Sequence, residues 1–273
     1  MTPTPVDSLI LPRWLIPVEP PDTALTDHAL AIKDGRIVAV VPRKQALERY
    51  LAREQVALPR HALLPGLINA HTHAAMSLMR GLADDRPLQA WLEQHIWPAE
   101  AAHVSRQFCA DGVELAIAEM LRGGTTCFND MYFFPDVTAE TAARAGMRAA
   151  AGMIVIDAPT VWAGDLAEYL AKGQQVRDRY RDHPLITTMF APHAPYTVGD
   201  QALTKIRMLA DEMDLQVHMH VHETAFEVAD AVQRSGRRPL ARLADLDLLN
   251  PNLLAVHMTQ LTDGEIETCA AHG

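Results

Sequence analysis

The chain has 273 residues, 49% hydrophobic and 21% charged, with 24 Lys and Arg against 34 Asp and Glu. That length and balance suit a globular protein with a full core, and the net charge of −10 excludes the clustered basic surface that nucleic acid requires. Cys109, Cys127 and Cys269 are odd in number and far apart, which excludes a disulfide framework or a CxxC metal clip and points to a reducing, cytoplasmic compartment. The N-terminus lacks the basic region of a signal peptide, and no uninterrupted apolar run reaches the roughly 18 residues of a membrane span.

Residues 1–60 read as a small β-rich portion. Ser8-Leu9-Ile10-Leu11 and Trp14-Leu15-Ile16 are short apolar runs. Apolar runs at 28–33 and 36–41 flank Asp34-Gly35, and this arrangement predicts a hairpin. A helix is expected at 43–53.

From Leu63 the texture changes to alternating strands and helices. Strand-like apolar runs fall at 63–71, 125–129, 148–156, 185–190, 215–222 and 253–257. Helices are predicted between them at 104–121, 138–145, 165–180, 200–212, 224–235 with 239–246, and 262–271. Gly123-Gly124 and Gly146 stand where helices should stop. Asp200 and Thr262 stand where N-caps belong. Continuous apolar strands alternating with helices imply a parallel sheet covered by helices, here with six βα units. The expected division is 1–60 and 61–273.

Polar residues gather at the C-terminal ends of these strands. His71-Thr72-His73 places two imidazoles on one strand face. They are either half of a metal site or a pair of hydrogen-bonded structural histidines. Asn129-Asp130 end the second strand, and His193 follows the fourth. His218, His220, His222 and Glu223 crowd the end of the fifth, and His257 ends the sixth. Each alone reads as readily as a buried structural residue. Their coincidence at several strand ends is the pattern of a TIM-barrel active site. His218, His220 and His222 share one face of a regular strand, so alternation does not choose among them.

These residues carry a resemblance. Pro65-Gly66-Leu67-Ile68-Asn69-Ala70-His71-Thr72-His73 resembles the first-strand motif of the amidohydrolase superfamily. With Met131-Tyr132-Phe133, Pro192-His193-Ala194-Pro195-Tyr196, His220-Val221-His222-Glu223-Thr224 and Ala255-Val256-His257, the set resembles the 5′-methylthioadenosine/S-adenosylhomocysteine deaminases. Atrazine-type chlorohydrolases and guanine deaminases are relatives of that group.

The resemblance implies a (β/α)8 TIM barrel of the metal-dependent hydrolase type, with about six βα units present. Residues 1–60 are then the N-terminal part of a composite β-sandwich. It implies one divalent metal ion per subunit, zinc, held by His71, His73 and His220. Glu223 is the implied acid/base residue, and His257 assists at the reacting water. His193 and Glu100 are expected beside the ribose. Trp91 is expected beside the nucleoside, although simple packing also accounts for a tryptophan there. The His-x-x-Glu pattern selects His220 and requires the chain to turn so that Glu223 faces the pocket. His218 is then a core polar residue and His222 a pocket-wall residue.

The implied reaction is hydrolytic deamination of an adenine nucleoside, 5′-methylthioadenosine and/or S-adenosylhomocysteine, to the inosine derivative and ammonia. Zinc lowers the pKa of its water to about 7 for attack at C6, while Glu223 protonates N1 and then the leaving amine. The related alternative is another heterocycle, as in guanine deaminases or triazine chlorohydrolases. The alternative of a different kind is an inactive metal-binding fragment. A carboxylate-bearing substrate calls for an Arg fork. Residues 149–176 hold no Arg and only Lys172, which favours methylthioadenosine, with Arg80, Arg86 or a residue of another chain as the alternative partners for a carboxylate. The expected partner is a small nucleoside, with no nucleic acid and no membrane, and the resemblance permits a homo-oligomer. Two features depart from the family pattern. Six strands are legible where eight are implied, and the family's late aspartate ligand is not matched. An aspartate from a longer gene product is therefore expected, and an isolated 1–273 is expected to expose strand edges and to lack activity.

Overall fold

The computed structural model describes residues 2–273, which divide into two compact units, one ending at Gly66 and one running from Leu67 to Gly273. The first unit is a five-stranded mixed sheet of β1 (Thr4–Leu15), β2 (Leu25–Thr26), β3 (His28–Lys33), β4 (Arg36–Pro42) and β5 (Tyr50–Leu63). Asp34 and Gly35 have φ of 52° and 70°, the two positive values that a two-residue turn of type I′ between β3 and β4 demands. Val6, Leu9, Ala29, Ala31 and Ala46 form its small core.

The helix expected at 43–53 is shorter. It spans Arg43–Arg49, and the chain then extends into β5, which runs parallel to β1. The exposed Arg53-Glu54-Gln55 stretch breaks the apolar pattern there. Pro59 is tolerated because β5 pairs on one side only.

The second unit holds β6 (Leu67–Thr72), β7 (Thr125–Met131), β8 (Arg148–Val155), β9 (Ile186–Pro192), β10 (Val217–His220) and β11 (Leu253–Val256). They lie side by side in chain order, all parallel. In a flat sheet, β6 and β11, five places apart in this order, would sit about 24 Å from each other. Yet the rings of His71, at the end of β6, and His257, just past β11, have centroids 5.0 Å apart. The sheet is therefore rolled hard about its C-terminal end, as a partial (β/α)8 barrel. Met153, Phe190, Leu203, Ile206 and Met219 fill one part of its core, and Phe128, Val113, Ile117 and Ile186 another.

The helices follow the expected order with small shifts. Helix Arg106–Arg122 ends at Gly123, and helix Pro135–Ala145 ends at Gly146 with φ 72°. Thr262 makes a full capping box with Glu265. Gly199, not Asp200, caps helix Asp200–Met213, and Asp200 instead accepts from Arg242 Nε at 2.6 Å. Two strand ends also differ from expectation. β6 begins at Leu67, because Pro65-Gly66 separates it from β5. β10 stops at His220, because His222 adopts a left-handed backbone with φ 54°.

A partly buried ion pair braces the segment after β10. Arg238 Nε and Nη2 each donate to Glu265 at 2.8 Å, and Nη2 also donates to Gln260 O at 2.6 Å. Burial pushes the Glu265 carboxyl up, but Arg238, the Thr262 N–H, His222 and the Thr262 hydroxyl outweigh it and hold the pKa down at about 2, from 4.5. A depressed carboxyl pKa stabilises the fold above the unfolded value, and that stability is lost as pH falls through the folded one. Glu265→Gln is expected to lower Tm at neutral pH. The gap from the unmodified protein should close as pH drops from about 4.5 toward 2. A gap constant across that range in a thermal melt series would refute the linkage.

Candidate metal and catalytic site

The rolled sheet brings imidazoles from four strand ends together. His71 from β6, His220 from β10 and His257 after β11 offer nitrogens that all lie within 4.8 Å of one another. The Nε2 atoms of His71 and His220 are 3.2 Å apart. His73 lies beside this group, with ring centroids 4.8 Å from His71 and 5.2 Å from His220. His257 was expected to assist rather than to bind, and its ring nitrogen lies with those of His71 and His220 in a group that could hold an ion.

Hydrogen bonds behind the rings orient the donors. His220 Nδ1 is 2.9 Å from the carbonyl of His193, and His73 Nδ1 is 2.5 Å from the carbonyl of Met131. A carbonyl only accepts, so each Nδ1 carries the proton and each Nε2 presents a lone pair. His71 Nδ1 pairs with His218 Nε2 at 2.8 Å. His218 is fully buried, behind His71. His222 is also fully buried and turned away from the cluster, where its Nε2 accepts from Leu240 N at 3.0 Å.

Burial is the first cause of the low basicity of these rings, and neighbouring imidazoles add to it. It lowers His71 to about 3 and His218 and His193 to about 4, and lowers His220 as well. Neutral, lone-pair-bearing imidazoles are what a metal ligand set needs.

The end of β7 is tied to β6. Asp130, fully buried, accepts from Ala74 N at 2.7 Å, Thr72 Oγ1 at 2.9 Å and Thr138 Oγ1 at 3.1 Å. Burial pushes its pKa up against those donors. Asn129 Nδ2 donates to Ala70 O at 3.0 Å. These bonds hold the His71-Thr72-His73 segment in register.

The remaining predicted residues divide. Glu223 follows the left-handed His222; its N–H donates to Glu227 Oε2 at 3.0 Å and its carbonyl accepts from Thr259 Oγ1 at 2.7 Å. His193 Nδ1 meets Thr197 Oγ1 at 2.9 Å, which leaves Nε2 unspent, and its ring centroid is 4.9 Å from that of His220. Glu100 is half-buried and accepts from Tyr132 at 2.7 Å. Trp91 donates its indole N–H to Leu82 O at 3.1 Å, so only its ring face is left for other contacts. The sequence marked Tyr132 only as part of the Met131-Tyr132-Phe133 motif and His218 only as a core polar residue; it did not show the Tyr132 bond to Glu100 or the His218 bond to His71. The one available signal was their position, Tyr132 just past a strand end and His218 on the His220 face.

The amidohydrolase-family profile matches residues 62–273. The chain belongs to the amidohydrolase family. A 5-methylthioadenosine/S-adenosylhomocysteine deaminase from Teredinibacter turnerae is 48% identical over 99% of this chain and 61% of its own length. A crystal structure of an adenosine deaminase from Xanthomonas campestris with bound zinc has a TM-score of 0.97 and 55% identity, over 99% of this chain and 62% of that one. A guanine deaminase from C. acetobutylicum, at 18% identity and a TM-score of 0.85, covers 97% of this chain and 65% of its own and shares the fold. The chain thus spans about three fifths of the length of these family relatives. The expected need for an aspartate from outside residues 1–273 is not borne out by these comparisons, and three imidazole donors assemble from this chain alone. Among the described residues, no helix is long and apolar enough to cross a membrane.

Proposed function

We propose that this chain carries the catalytic machinery of a zinc-dependent hydrolase that deaminates an adenine nucleoside at C6. The observation that carries the reading is the convergence of His71, His220 and His257 within 4.8 Å, with Glu223 on the turn just after β10. A test of fit comes from the donor set itself. His220 presents an Nε2 lone pair toward His71 Nε2 across 3.2 Å, an arrangement that a shared cation relieves. His71, His220 and His257, with His73 adjacent, would hold the ion. A bound divalent ion supplies Lewis acidity that activates water and stabilises developing negative charge.

The chain's own groups supply the proton traffic and the orientation. The Glu223 carboxyl gives its proton to N1 of the ring, which makes C6 electrophilic. It takes one proton from the attacking water and passes it to the departing amine, and the second water proton, released as the C6 carbonyl forms, restores the Glu223 acid. Ammonia leaves and the inosine derivative remains. His193 Nε2 and the Glu100 carboxylate face the ribose, and Trp91 presents its ring to the nucleoside.

The deaminase relatives support an adenosine-type ring. The 5′ substituent is read from charge. Lys172, the one cation in residues 149–176, is engaged by Glu168 at 2.7 Å and by the carbonyl of Trp162 at 2.5 Å. No Arg lies in that stretch to receive a carboxylate, which favours 5′-methylthioadenosine over S-adenosylhomocysteine. The protein is expected to hold about one zinc per subunit and to release ammonia faster from methylthioadenosine than from the carboxylate-bearing substrate. Metal analysis combined with ammonia release across both nucleosides checks this. Bound zinc without turnover of any aminated heterocycle would overturn the assignment.

A further inference from the structure

Tyr132 has no part in the reading given so far, yet it is buried between two groups that do. It stands one residue past the end of β7 and is 6% exposed. Its ring centroid is 6.3 Å from that of His73, in the imidazole cluster. Its hydroxyl donates to Glu100 Oε1 at 2.7 Å. Burial favours the neutral acid at Glu100, and the Tyr132 hydrogen bond opposes it. A phenol that donates to a carboxylate stabilises the charged form and fixes the plane of its two oxygens.

We infer that Tyr132 is a positioning residue for sugar recognition: its hydroxyl fixes Glu100 through Oε1, so that Oε2 is presented as an acceptor for a ribose hydroxyl. The inference rests on the proposed nucleoside site and deepens it. Two observations separate it from simple packing. The Glu100 carboxylate has no other hydrogen-bond partner among the described residues, so its second oxygen is uncommitted. Tyr132 donates to Glu100 although the adjacent residues Met131 and Phe133 offer carbonyls that other side chains use, His73 Nδ1 at 2.5 Å and Cys109 Sγ at 3.6 Å. The backbone around Tyr132 is thus held independently of its hydroxyl.

The consequence is a selectivity for the sugar rather than for the base. Tyr132→Phe removes one oxygen and leaves the ring in place. For the ribonucleoside substrate it should raise KM about tenfold, the value of one hydrogen bond to a charged group, with kcat within about twofold. For the 2′,3′-dideoxy counterpart, which offers no sugar hydroxyl to Glu100, KM should not change. Glu100→Gln should show the same pattern. The double variant should be no worse than Glu100→Gln alone, because the two side chains act as one unit. Thermal melts of each variant separate a folding defect from a binding defect. An equal rise in KM for both nucleosides, a loss confined to kcat, or fully additive effects in the double variant would overturn the inference. A zinc-loaded, unmodified protein that deaminates neither nucleoside would overturn the functional reading itself and this inference with it.

Discussion

Glu223→Gln is expected to keep its metal and to lose about 10²–10⁴-fold in kcat, the usual contribution of a general acid–base. The substitution preserves shape and removes only the ability to carry a proton. The backbone is pinned on both sides, by Glu227 Oε2 on the N–H at 3.0 Å and by Thr259 Oγ1 on the carbonyl at 2.7 Å. The side chain can therefore change without moving the turn that carries it. Ammonia release and metal content, measured on the same preparation, check the two halves separately. A variant within tenfold of normal turnover would remove Glu223 from the mechanism. Loss of metal along with activity would make it part of the ion's support instead.

Gly152→Ala is expected to be among the most damaging small changes in the chain. Gly152 lies in β8, between β7 and β9. A Cβ there would sit 2.4 Å from the carbonyl oxygen of Asp130 and 2.9 Å from Ala191 Cβ. A strand carbonyl cannot swing aside as a flexible side chain can, so the strands must part. Overpacking of this kind costs about 1–3 kcal/mol, or about 2–4 °C in Tm for each kcal/mol in a unit of this size. The displaced residue is Asp130, which holds Thr72 and Ala74, so the disturbance reaches the segment bearing His71 and His73. Zinc affinity should fall with stability. Gly264→Ala is the control. Nothing lies within 4 Å of its added Cβ, and it should leave both Tm and metal content unchanged. A Gly152→Ala protein that melts like the control would contradict the close approach.

Much of the architecture was legible from apolar runs alone. All six barrel strands were located because buried parallel strands read as continuous hydrophobic stretches. The Asp34-Gly35 turn was legible because only a narrow residue set accepts two positive φ values in succession. β5 was missed because it is an edge strand, and Arg53-Glu54-Gln55 interrupts its pattern with solvent-facing residues. The end of β10 was placed two residues late because a period of two carries no information about a left-handed residue such as His222. In the site, motif resemblance marked His71, His73, His220, Glu223 and His257 as a group. It did not show that His218 backs His71, or that Tyr132 holds Glu100, because those contacts join residues far apart in sequence that no local rule connects.

That same distance in sequence bears on how the histidine cluster comes together. His71 and His220 meet across 149 positions. Closing a loop of that length costs about 4 kcal/mol of chain entropy before any contact repays it. The cluster therefore cannot form in a partly folded chain that holds only neighbouring strands together, since β7, β8 and β9 must first be laid down between its two halves. Ion binding should arrive as one of the last events of folding, long after helices and adjacent strand pairs exist. An ion captured by these histidines reports that the sheet has finished rolling, which makes the site a clock for its own assembly.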